Sequence, residues 1–292
     1  MVPWENATVH VMTHSLHYGS AIFEGIRCYA TDEGTQIFRL DEHVKRFYNS
    51  ARIYRMPIPF APDEVVSAIK RTIRENNIKE CYIRPIAFYG WDEVGVNPQG
   101  NRVHLAIAVW PWLPYLGEEG LKNGVRCKVS SWARIDPRSM PMMAKVAANY
   151  ANSILARLEA QSEGYHEAIL LNSGGMVTEG TGENIFLVSN GNVMTPPLSA
   201  GILPGITRES IIELGRRMGF RVEESNLSRS ELLLADELFF TGTAAEVTPI
   251  KEVDNQKIGN GTRGPITQKV QSKFFEIVRG KEPDFAHWLE PI

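Results

Sequence analysis

Residues 111–120 interrupt a chain whose other segments are patterned for strands and helices. This stretch contains two prolines and two glycines, and both residue types end regular secondary structure. The chain has 292 residues, which is enough for two hydrophobic cores because domains usually hold roughly 100–150 residues. We therefore predict a small N-terminal domain over residues 1–116, a linker over residues 117–124 and a large domain over residues 125–292.

Both parts of the chain contain strand and helix patterns. Apolar residues recur at every second position in some segments and at every third or fourth position in others. The predicted strands span residues 8–12, 23–29, 36–39, 81–88, 103–110, 125–130, 167–171, 184–188, 237–241 and 246–250. The predicted helices span residues 41–54, 62–76, a segment ending near 160, 208–218 and 266–278. Because the two types of element do not alternate strictly, we predict a mixed α/β (α+β) fold in two domains.

Composition excludes several classes of protein. The net charge of −3 argues against a nucleic-acid-binding protein, which normally has a basic excess or patch. No apolar stretch approaches the roughly 20 residues of a membrane span, and no signal peptide is apparent. Cys28, Cys81 and Cys127 are odd in number and far apart, so neither a disulfide framework nor a zinc site is indicated. We therefore expect a cytoplasmic location.

Residues 140–153 contain a single lysine, Lys145, between apolar neighbours. Pro-Met-Met-Ala precedes it and Val-Ala-Ala follows it. Burial favours the uncharged amine, and a free amine beside a carbonyl forms a Schiff base. A buried side-chain stem whose ammonium group reaches water explains the same pattern, and on this segment alone that structural role is the simpler interpretation.

Two turns have the composition of a phosphate-binding site. Residues 203–208 end in a helix start, where Gly205 allows close approach of a ligand and Ile206 and Thr207 present free N–H groups. Gly242-Thr243-Ala244 is a second turn of small residues with a hydroxyl. Ordinary turns have similar compositions, so neither turn alone predicts a phosphate site.

An acidic loop is a further candidate part of a binding site, beside the lysine and the two turns. Residues 179–184, Glu-Gly-Thr-Gly-Glu-Asn, place carboxylates beside flexible glycines, although a solvated loop would have the same composition. A carboxylate that faces a pyridine nitrogen keeps it protonated and makes the ring a better electron sink. A lysine, a phosphate-binding turn and an acidic partner are what a pyridoxal-phosphate site requires. Their combination predicts pyridoxal 5'-phosphate as the cofactor.

On these residues the chain closely resembles the branched-chain amino acid aminotransferases of the fold-type IV pyridoxal-phosphate class. The resemblance covers nearly the whole chain. It runs through Leu16-His17-Tyr18-Gly19, Phe23-Glu24-Gly25-Ile26-Arg27, Tyr82-Ile83-Arg84-Pro85, Lys145 with Asn149-Tyr150, Glu179-Gly180 with Glu183-Asn184, residues 203–208 and Gly242-Thr243-Ala244-Ala245-Glu246. It implies a small α/β domain and a larger cofactor-binding domain with a barrel-like sheet. Family members usually carry an extra strand before the segment matching Val2-Pro3-Trp4, so we expect a departure at the first hairpin.

The resemblance also implies roles in cofactor binding. Lys145 would form the Schiff base and move a proton between the substrate Cα and the cofactor C4′. Glu179 would bind the pyridine nitrogen, Tyr150 would bind the phenolic oxygen, and Leu203 would pack on the ring. The implied phosphate-binding residues are Arg46, Gly205, Ile206, Thr207, Gly242 and Thr243.

The substrate pocket of such an enzyme must accept both an apolar side chain and the distal carboxylate of glutamate. Arginine suits a carboxylate because its planar fork makes two parallel hydrogen bonds. A structural ion pair is the alternative role for Arg84, but its strand is otherwise apolar and an unpaired charge there is costly without a ligand. By resemblance the apolar wall is Phe23, Tyr82, Val96 and Tyr115, the distal carboxylate binds Arg84 and Tyr18, and the α-carboxylate binds the backbone at Thr243 and Ala244.

The predicted reaction is transfer of the amino group of leucine, isoleucine or valine to 2-oxoglutarate. D-Amino acid aminotransferases and aminodeoxychorismate lyases share the lysine, the glutamate and the phosphate-binding turn. They remain alternatives, as does a relative that binds the cofactor without catalysis. The strand Tyr82-Ile83-Arg84-Pro85 and the pair Asn149-Tyr150 favour the branched-chain enzymes. The resemblance further implies a homodimer at least, in some members stacked into hexamers.

Other kinds of site find little support in the sequence. His10, His14 and His17 would align as metal ligands on a helix, but the alternation at residues 8–12 predicts a strand, so we expect no metal site. Neither Ser15 nor Ser20 lies in a G-x-S-x-G motif, which disfavours a serine hydrolase. The chain also lacks a G-x-G-x-x-G motif after a strand, which argues against a dinucleotide-binding enzyme.

Overall fold

A computed structural model describes residues 1–112 and 115–292. The helices are α1 (His14–Tyr18), α2 (Leu40–Ile53), α3 (Pro62–Glu75), α4 (Gly117–Asn123), α5 (Tyr150–Ser162), α6 (Ile206–Arg217), α7 (Arg229–Leu234) and α8 (Pro265–Val278). The strands are β1 (Ala21–Phe23), β2 (Ile26–Thr31), β3 (Gly34–Phe38), β4 (Cys81–Tyr89), β5 (Val103–Trp110), β6 (Val125–Val129), β7 (Glu167–Leu171), β8 (Val177–Gly180), β9 (Asn184–Ser189), β10 (Asn192–Thr195), β11 (Val222–Glu224), β12 (Glu237–Gly242), β13 (Glu246–Val253), β14 (Gln256–Lys257) and β15 (Leu289–Pro291). The mixed α/β fold predicted from the sequence is confirmed.

The chain divides into two compact units that are not simple consecutive segments. The first unit contains Met1–Pro111, Ala144–Asn149 and Asp284–Ile292, and the second contains Trp112–Met143 and Tyr150–Pro283. These limits differ from the predicted ranges because the chain returns to the first unit twice. Residues 117–123, expected to be a linker, form α4 within the second unit.

Helix α4 is held by contacts that local composition does not reveal. Gly120 is buried beside Val125, where an added Cβ would lie 2.8 Å from a Val125 methyl group. The side-chain amide of Gln271 donates a hydrogen bond of 2.8 Å to the carbonyl of Leu121. Gly120 therefore permits close packing and does not mark a flexible connection.

The first unit is built on a sheet in which β4 is the central strand. β5 pairs antiparallel along one edge of β4, while β1 and β2 share the other edge, and the order continues through β3 to β15. One face of this sheet packs its apolar residues, including Ile26, Ile37 and Ile83, against Val44 of α2 and Ile69 of α3. Because side chains alternate along a strand, Tyr82 and Arg84 project from the opposite face of β4.

Three details of the first unit differ from the sequence prediction. Residues 8–12 are not a strand, because Val9 and Val11 are exposed and their alternation does not reflect burial against a sheet. The predicted strand 23–29 is divided into β1 and β2 by Glu24 and Gly25. The C-terminal strand β15 was not predicted, and it pairs antiparallel with β3.

The second unit contains a closed sheet. Strands β9, β12, β13, β6, β7 and β8 pair in that order, and β8 pairs with β9 at Glu179 and Asn184 to complete the ring. β10 and β11 extend from β9, and β14 pairs with β13. Helix α5 lies against β7, while α6 and α8 contact β12. The barrel-like sheet implied for the larger domain is confirmed.

The helices are short in comparison with the thickness of a lipid bilayer. Within residues 1–112 and 115–292, none of them combines the length and the apolar character needed to span a membrane.

Candidate active site

The backbone of Lys145 is fixed on both sides within the first unit. Its N–H donates to Ser50 Oγ at 2.9 Å, and its carbonyl accepts a hydrogen bond of 3.1 Å from the N–H of Phe23. The next residue, Val146, bridges to Ile22 of β1. Lys145 therefore lies in an extended segment before α5. Hydrogen bonds hold this segment against both α2 and β1.

The side chain of Lys145 is half-buried between two buried neighbours. Ala144 and Val146 are both almost inaccessible to solvent, and alternation directs the lysine to the other side of the extended segment. Its Nζ lies 5.0 Å from the centroid of the Phe23 ring. The amine is thus positioned over an aromatic face of the first unit.

A buried carboxylate pairs with two residues of α2 in the same unit. Glu24 is fully buried, and Arg46 donates to it from Nε at 2.7 Å and from Nη2 at 2.8 Å. His43 Nδ1 lies 2.8 Å from the same carboxylate. Arg46 was predicted to bind phosphate, and the structure shows that Glu24 fixes the orientation of its guanidinium.

These contacts shift the titration of Glu24 and His43. Burial by itself would raise the pKa of Glu24, but the charge of Arg46 and the hydrogen bonds from Arg46 and His43 hold that pKa well below its ordinary value. Burial lowers the pKa of His43, an effect that Arg46 and Lys145 reinforce and the Glu24 carboxylate opposes. Glu24 is therefore ionised and His43 neutral at pH 7.

Arg84 lies within a cluster of aromatic rings. Its Cζ is 4.6 Å from the centroid of Phe23, 5.4 Å from that of Tyr82 and 5.8 Å from that of Trp110. Its buried Nε has no hydrogen-bond partner among the residues that the structure describes. Phe23, Tyr82, Arg84 and Lys145, all singled out from the sequence, are thus brought together in the first unit.

Tyr18 and Val96 occupy a more exposed region of the same unit. Val96 is 84% exposed and Tyr18 is 43% exposed. The ring of His14 lies 4.6 Å from the ring of Tyr18, and its Nε2 is 2.7 Å from the carbonyl of Gly95, next to Val96. His14 therefore connects the two segments that carry these predicted pocket residues.

The three N-terminal histidines have separate partners. His10 Nδ1 accepts from the N–H of Met12, His14 contacts Ser20 and Gly95, and the ring of His17 hydrogen-bonds the carbonyl of Val11. No cluster of potential metal ligands occurs in the described parts of the chain.

Glu179 is held rigidly within the second unit. It is 4% exposed, and its Oε1 lies 2.6 Å from Nη2 of Arg134. Its Oε2 accepts hydrogen bonds of 3.0 Å from Asn184 Nδ2 and from the N–H of Leu203. The carboxylate is therefore preorganised, and the arginine provides a charge-assisted hydrogen bond that stabilises its negative form.

Asn184 links this carboxylate to the predicted phosphate-binding turn. Besides Glu179, its amide donates to the carbonyl of Leu203 at 3.0 Å. Helix α6 begins directly after Gly205, which takes the N-cap position, and Ile206 and Thr207 lie in its first turn. A Cβ at Gly205 would overlap Asn184 Oδ1, so only glycine fits beside this amide. The first N–H groups of α6 point away from the helix, as an anion-binding site requires.

The turn at residues 242–245 joins β12 to β13. Gly242 pairs with Glu246, and Thr243 and Ala244 form the half-buried turn between the strands. The N–H of Tyr115 donates to the carbonyl of Ala244 at 3.4 Å, so these two predicted pocket residues are adjacent. Tyr150 is the first residue of α5 and is half-buried.

Several residues that orient the predicted site had no role in the sequence prediction. Glu24 holds Arg46, Ser50 holds the Lys145 backbone, and Arg134 holds Glu179. One signal was available: His43, Arg46 and Ser50 are polar residues at helical spacing on the apolar face of α2, where unpaired polar groups are not tolerated. Arg134 carried no comparable local signal.

Comparisons with known proteins identify the family to which the chain is similar. The model of the family described as amino-transferase class IV matches residues 21–253. The branched-chain-amino-acid aminotransferase of Salmonella typhimurium is 46% identical over 293 residues, covering 100% of this chain and 95% of that protein. The crystal structure of the Escherichia coli branched-chain amino acid aminotransferase superposes with a TM-score of 0.97 at 46% identity, covering 99% of this chain and 96% of the other.

A third relative was solved with a ligand. The T.th. branched-chain amino acid aminotransferase complexed with N-(5'-phosphopyridoxyl)-L-glutamate superposes with a TM-score of 0.93 and is 46% identical. The match covers 99% of this chain and 94% of that chain.

The Glu24 cluster predicts how stability depends on pH. Ionised Glu24 has a pKa below its ordinary value of 4.5, so it stabilises the fold above about pH 4.5 and this stabilisation is lost on acidification. Neutral His43 acts in the same direction, because its pKa is depressed from 6.5. Glu24→Gln should reduce the free energy of unfolding at pH 7 by about 3–5 kcal/mol, since it leaves Arg46 without its buried counter-charge. Urea unfolding at a series of pH values measures both effects.

The matched control is Glu290→Gln, which removes a partly exposed carboxylate paired with Lys70. This variant should unfold close to the wild type at pH 7, because exposed ion pairs contribute little. The prediction for Glu24 is contradicted if Glu24→Gln is as stable as the control at pH 7, or if its loss of stability on acidification below about pH 4.5 equals that of the wild type.

Proposed function

The chain belongs to the class IV aminotransferase family, and we propose that it transfers the amino group of leucine, isoleucine or valine to 2-oxoglutarate. The observation that carries this proposal is the likeness to branched-chain aminotransferases along the whole chain, in sequence and in structure. The products are the branched-chain 2-oxo acids and L-glutamate. Pyridoxal 5'-phosphate is the cofactor.

The residues of the chain fit this cofactor. Gly205 leaves room for close approach at the start of α6, where N–H groups without a side-chain cap favour a phosphate. The buried carboxylate of Glu179 suits a protonated pyridine nitrogen, and Lys145 suits the aldehyde. When bound, pyridoxal phosphate supplies an electron sink for the electrons of the substrate Cα–H bond.

We propose that Lys145 both bonds the cofactor and moves the proton. Its backbone is held by Ser50 and Phe23, so the amine is presented from a fixed main chain. Nζ of Lys145 would take the proton from the substrate Cα, while the bound cofactor would supply the electron sink. Arg46, oriented by Glu24, would contribute positive charge to phosphate binding.

Residues of the second unit are proposed to bind the rest of the cofactor. Glu179 would bind the pyridine nitrogen, and Arg134 and Asn184 keep its carboxylate in place. Tyr150 would donate to the phenolic oxygen, and Leu203 would pack against the ring. The proposed phosphate-binding residues of this unit are Gly205, Ile206, Thr207, Gly242 and Thr243.

Substrate recognition is proposed to use one pocket for two kinds of side chain. Arg84 and the rings around it offer an aliphatic side chain an apolar surface and offer a carboxylate a guanidinium. A ring face stabilises the Arg84 guanidinium when no carboxylate is bound, so Arg84 can remain charged in the empty pocket. The other proposed pocket residues are Tyr18, Phe23, Tyr82, Val96, Tyr115, Thr243 and Ala244.

We also propose a cytoplasmic location and assembly of at least two copies. Cys28 and Cys81 are buried thiols whose sulfur atoms lie 3.1 Å apart, an arrangement that a reducing compartment preserves. Several large apolar side chains are exposed, including Leu16, Val96 and Leu158, each more than half accessible. Exposed apolar residues in such numbers favour burial in a homo-oligomer.

Removing the amine tests the lysine assignment. Lys145→Ala should lower leucine:2-oxoglutarate transamination by at least about 1,000-fold, because both covalent attachment and proton transfer depend on this group. It should also lose the visible absorbance of the lysine-bound cofactor. The control, Lys122→Ala, removes an exposed lysine of α4 and should behave as the wild type. Normal turnover of leucine by Lys145→Ala would end the assignment.

Replacing Arg84 tests the two-substrate pocket. Arg84→Met keeps a long apolar stem against the rings but removes the charge, so kcat/KM for glutamate should fall about 10- to 100-fold, the loss expected for a charged hydrogen bond. The value for leucine should change by less than about threefold, since its side chain needs only the apolar wall. Steady-state kinetics with each donor measure the difference.

The control for Arg84 is another arginine over an aromatic ring. Arg102→Met removes an exposed guanidinium whose Cζ lies 5.9 Å from the centroid of Trp91. This variant should leave kcat/KM for glutamate and for leucine unchanged. Equal losses for glutamate and leucine in Arg84→Met would contradict the dual-pocket assignment.

Assembly is tested by measuring the mass in solution. Light scattering on the purified protein should give at least twice the chain mass of 32.8 kDa at micromolar concentration. Leu158→Glu would place a charge on an exposed apolar surface of α5 and should weaken association if that surface is covered in the oligomer. A wild-type mass of one chain would exclude the proposed assembly.

A further inference from the structure

Two of the three cysteines lie side by side in the first unit. Cys28 of β2 and Cys81 of β4 are register partners in antiparallel strands, and their Sγ atoms are 3.1 Å apart. Both residues are free cysteines and almost inaccessible to solvent, at 1% and 2% exposure. The fold brings them together across 53 positions of the chain, so their spacing in the sequence gave no indication of the pair.

The geometry of this pair suits a disulfide bond. Residues directly opposite each other in an antiparallel sheet have Cα atoms roughly 4.5–5.5 Å apart, and disulfide-bonded cysteines have Cα atoms roughly 4.4–6.8 Å apart. The backbone can therefore stay in place while the two side chains rotate and bring their sulfur atoms about 1 Å closer. The third cysteine, Cys127, lies on β6 in the second unit and is a register partner of neither thiol.

The two sulfur atoms of the pair are not equivalent. The Sγ of Cys28 accepts a hydrogen bond of 3.2 Å from the N–H of Cys81. A hydrogen bond from the Cys81 thiol lowers the pKa of Cys28, burial opposes this effect, and the Cys81 N–H lowers the pKa further. The hydrogen bond to Cys28 and burial both raise the pKa of Cys81. Because the thiolate is the form that reacts with oxidants, Cys28 is the thiol that reacts first.

An exposed segment directly before β4 covers the pair. Lys79 and Glu80 are exposed, and the carbonyl oxygen of Lys79 lies 4.0 Å from the Sγ of Cys28. Side chains attach this segment to the sheet, since Thr35 Oγ1 donates to the Lys79 carbonyl and the N–H of Ala30 donates to Glu80 Oε1. Such contacts open at a lower free energy than a strand ladder in the core. A molecule as small as hydrogen peroxide can therefore reach Cys28 while the sheet stays folded.

We propose that Cys28 and Cys81 are a site of reversible oxidation by peroxides, which joins β2 to β4 through a disulfide bond. The thiolate of Cys28 attacks one oxygen of hydrogen peroxide, the O–O bond breaks, and the products are a sulfenic acid on Cys28 and hydroxide. The Cys81 sulfur then attacks the Cys28 sulfur, the S–O bond breaks, and water leaves with the proton of the Cys81 thiol. In total, two thiols and one hydrogen peroxide give one disulfide and two water molecules, and the two sulfur atoms lose two electrons to the peroxide.

The disulfide would lie on the face of β4 opposite the proposed substrate pocket. Cys81 and Ile83 pack with the apolar residues of α2 and α3, whereas Tyr82 and Arg84 project from the other face of the strand. The bond would close a covalent loop over residues 28–81, which contains both helices. It would therefore add a covalent connection beneath the pocket without placing a group in it. This inference does not depend on the proposed transamination.

The experiment treats the reduced holoenzyme with hydrogen peroxide and counts the thiols after denaturation in an alkylating agent. Free thiols should fall from three to one. Trypsin cleaves after Arg27 and Lys79, so Cys28 and Cys81 lie on separate peptides that should be recovered as one linked peptide. Dithiothreitol should restore all three thiols. Retention of three thiols after peroxide treatment, or a linked peptide that contains Cys127, overturns the proposal.

The same treatment in urea shows whether the folded structure directs the reaction. In the unfolded chain Cys81 is separated from Cys28 and from Cys127 by similar lengths of chain, so both pairs should form to similar extents. In the folded holoenzyme the Cys28–Cys81 bond should account for at least about 90% of the disulfide, because only this pair is held in contact. Equal proportions of the pairs in the folded and unfolded protein would overturn the proposal.

Alanine variants test the separate roles of the two sulfur atoms. Cys81→Ala removes the second thiol, so peroxide should leave a sulfenic acid on Cys28 that dimedone traps during denaturation, and no linked peptide should form. Cys28→Ala should give at least about tenfold less dimedone adduct on Cys81, because burial raises the pKa of that thiol. Equal adduct yields in the two variants would overturn the assignment of Cys28 as the thiol that reacts first.

The matched control is the remaining cysteine. Cys127 is fully buried on β6, and burial raises its pKa well above the ordinary value. Cys127→Ala should form the linked Cys28–Cys81 peptide to the same extent as the wild type and should retain no free thiol after peroxide treatment. Failure to form the linked peptide in this variant would show that Cys127 takes part in the oxidation, and the proposal would be wrong.

Discussion

The main chain around Lys145 is hydrogen-bonded in two directions, to Ser50 of α2 and to Phe23 of β1. These bonds join a segment near the middle of the sequence to the N-terminal sheet, and they determine where the amine can be. A long, flexible side chain is a poor catalyst when its backbone moves, because the geometry of proton transfer is strict. Because the backbone is anchored, the position of the Lys145 amine depends only on a few side-chain rotamers over the Phe23 ring. The same contacts bring Lys145 to the aromatic cluster around Arg84.

Buried carboxylates recur in both units, and each has an arginine together with neutral donors. Glu24 has Arg46 and His43, Glu179 has Arg134 and Asn184, and Glu167 has Arg157 and Thr181. Such clusters add little net stability over apolar packing, but they are rigid because any displacement leaves a buried charge unpaired. The first cluster orients Arg46 and the second fixes Glu179 itself, and both of these residues have a proposed function. In the third cluster the guanidinium of Arg157 lies over the Tyr115 ring. Rigidity of this kind is how an active site is preorganised.

Much of the fold followed from local patterns. Strands β4, β5, β6 and β7 begin and end within a few residues of their predicted limits, because their apolar runs reflect burial directly. The exceptions have identifiable causes. Residues 8–12 alternate without a sheet to face, Glu24 and Gly25 divide one predicted strand, and the pairing of β15 with β3 depends on residues at opposite ends of the chain.

The sequence alone determined which chemistry could be predicted for the chain, from a lysine between apolar residues, a glycine before a helix start and a glutamate in a glycine-rich loop. These signals are local, since each depends on neighbours within a few residues. Only the tertiary structure decided which charged side chains form ion pairs. Arg46 reaches Glu24 across 22 positions, and Arg134 and Arg157 reach their carboxylates on other elements. The pairing of distant charges is set by which faces of the sheet and helices are buried together, and no periodicity within a single element specifies that.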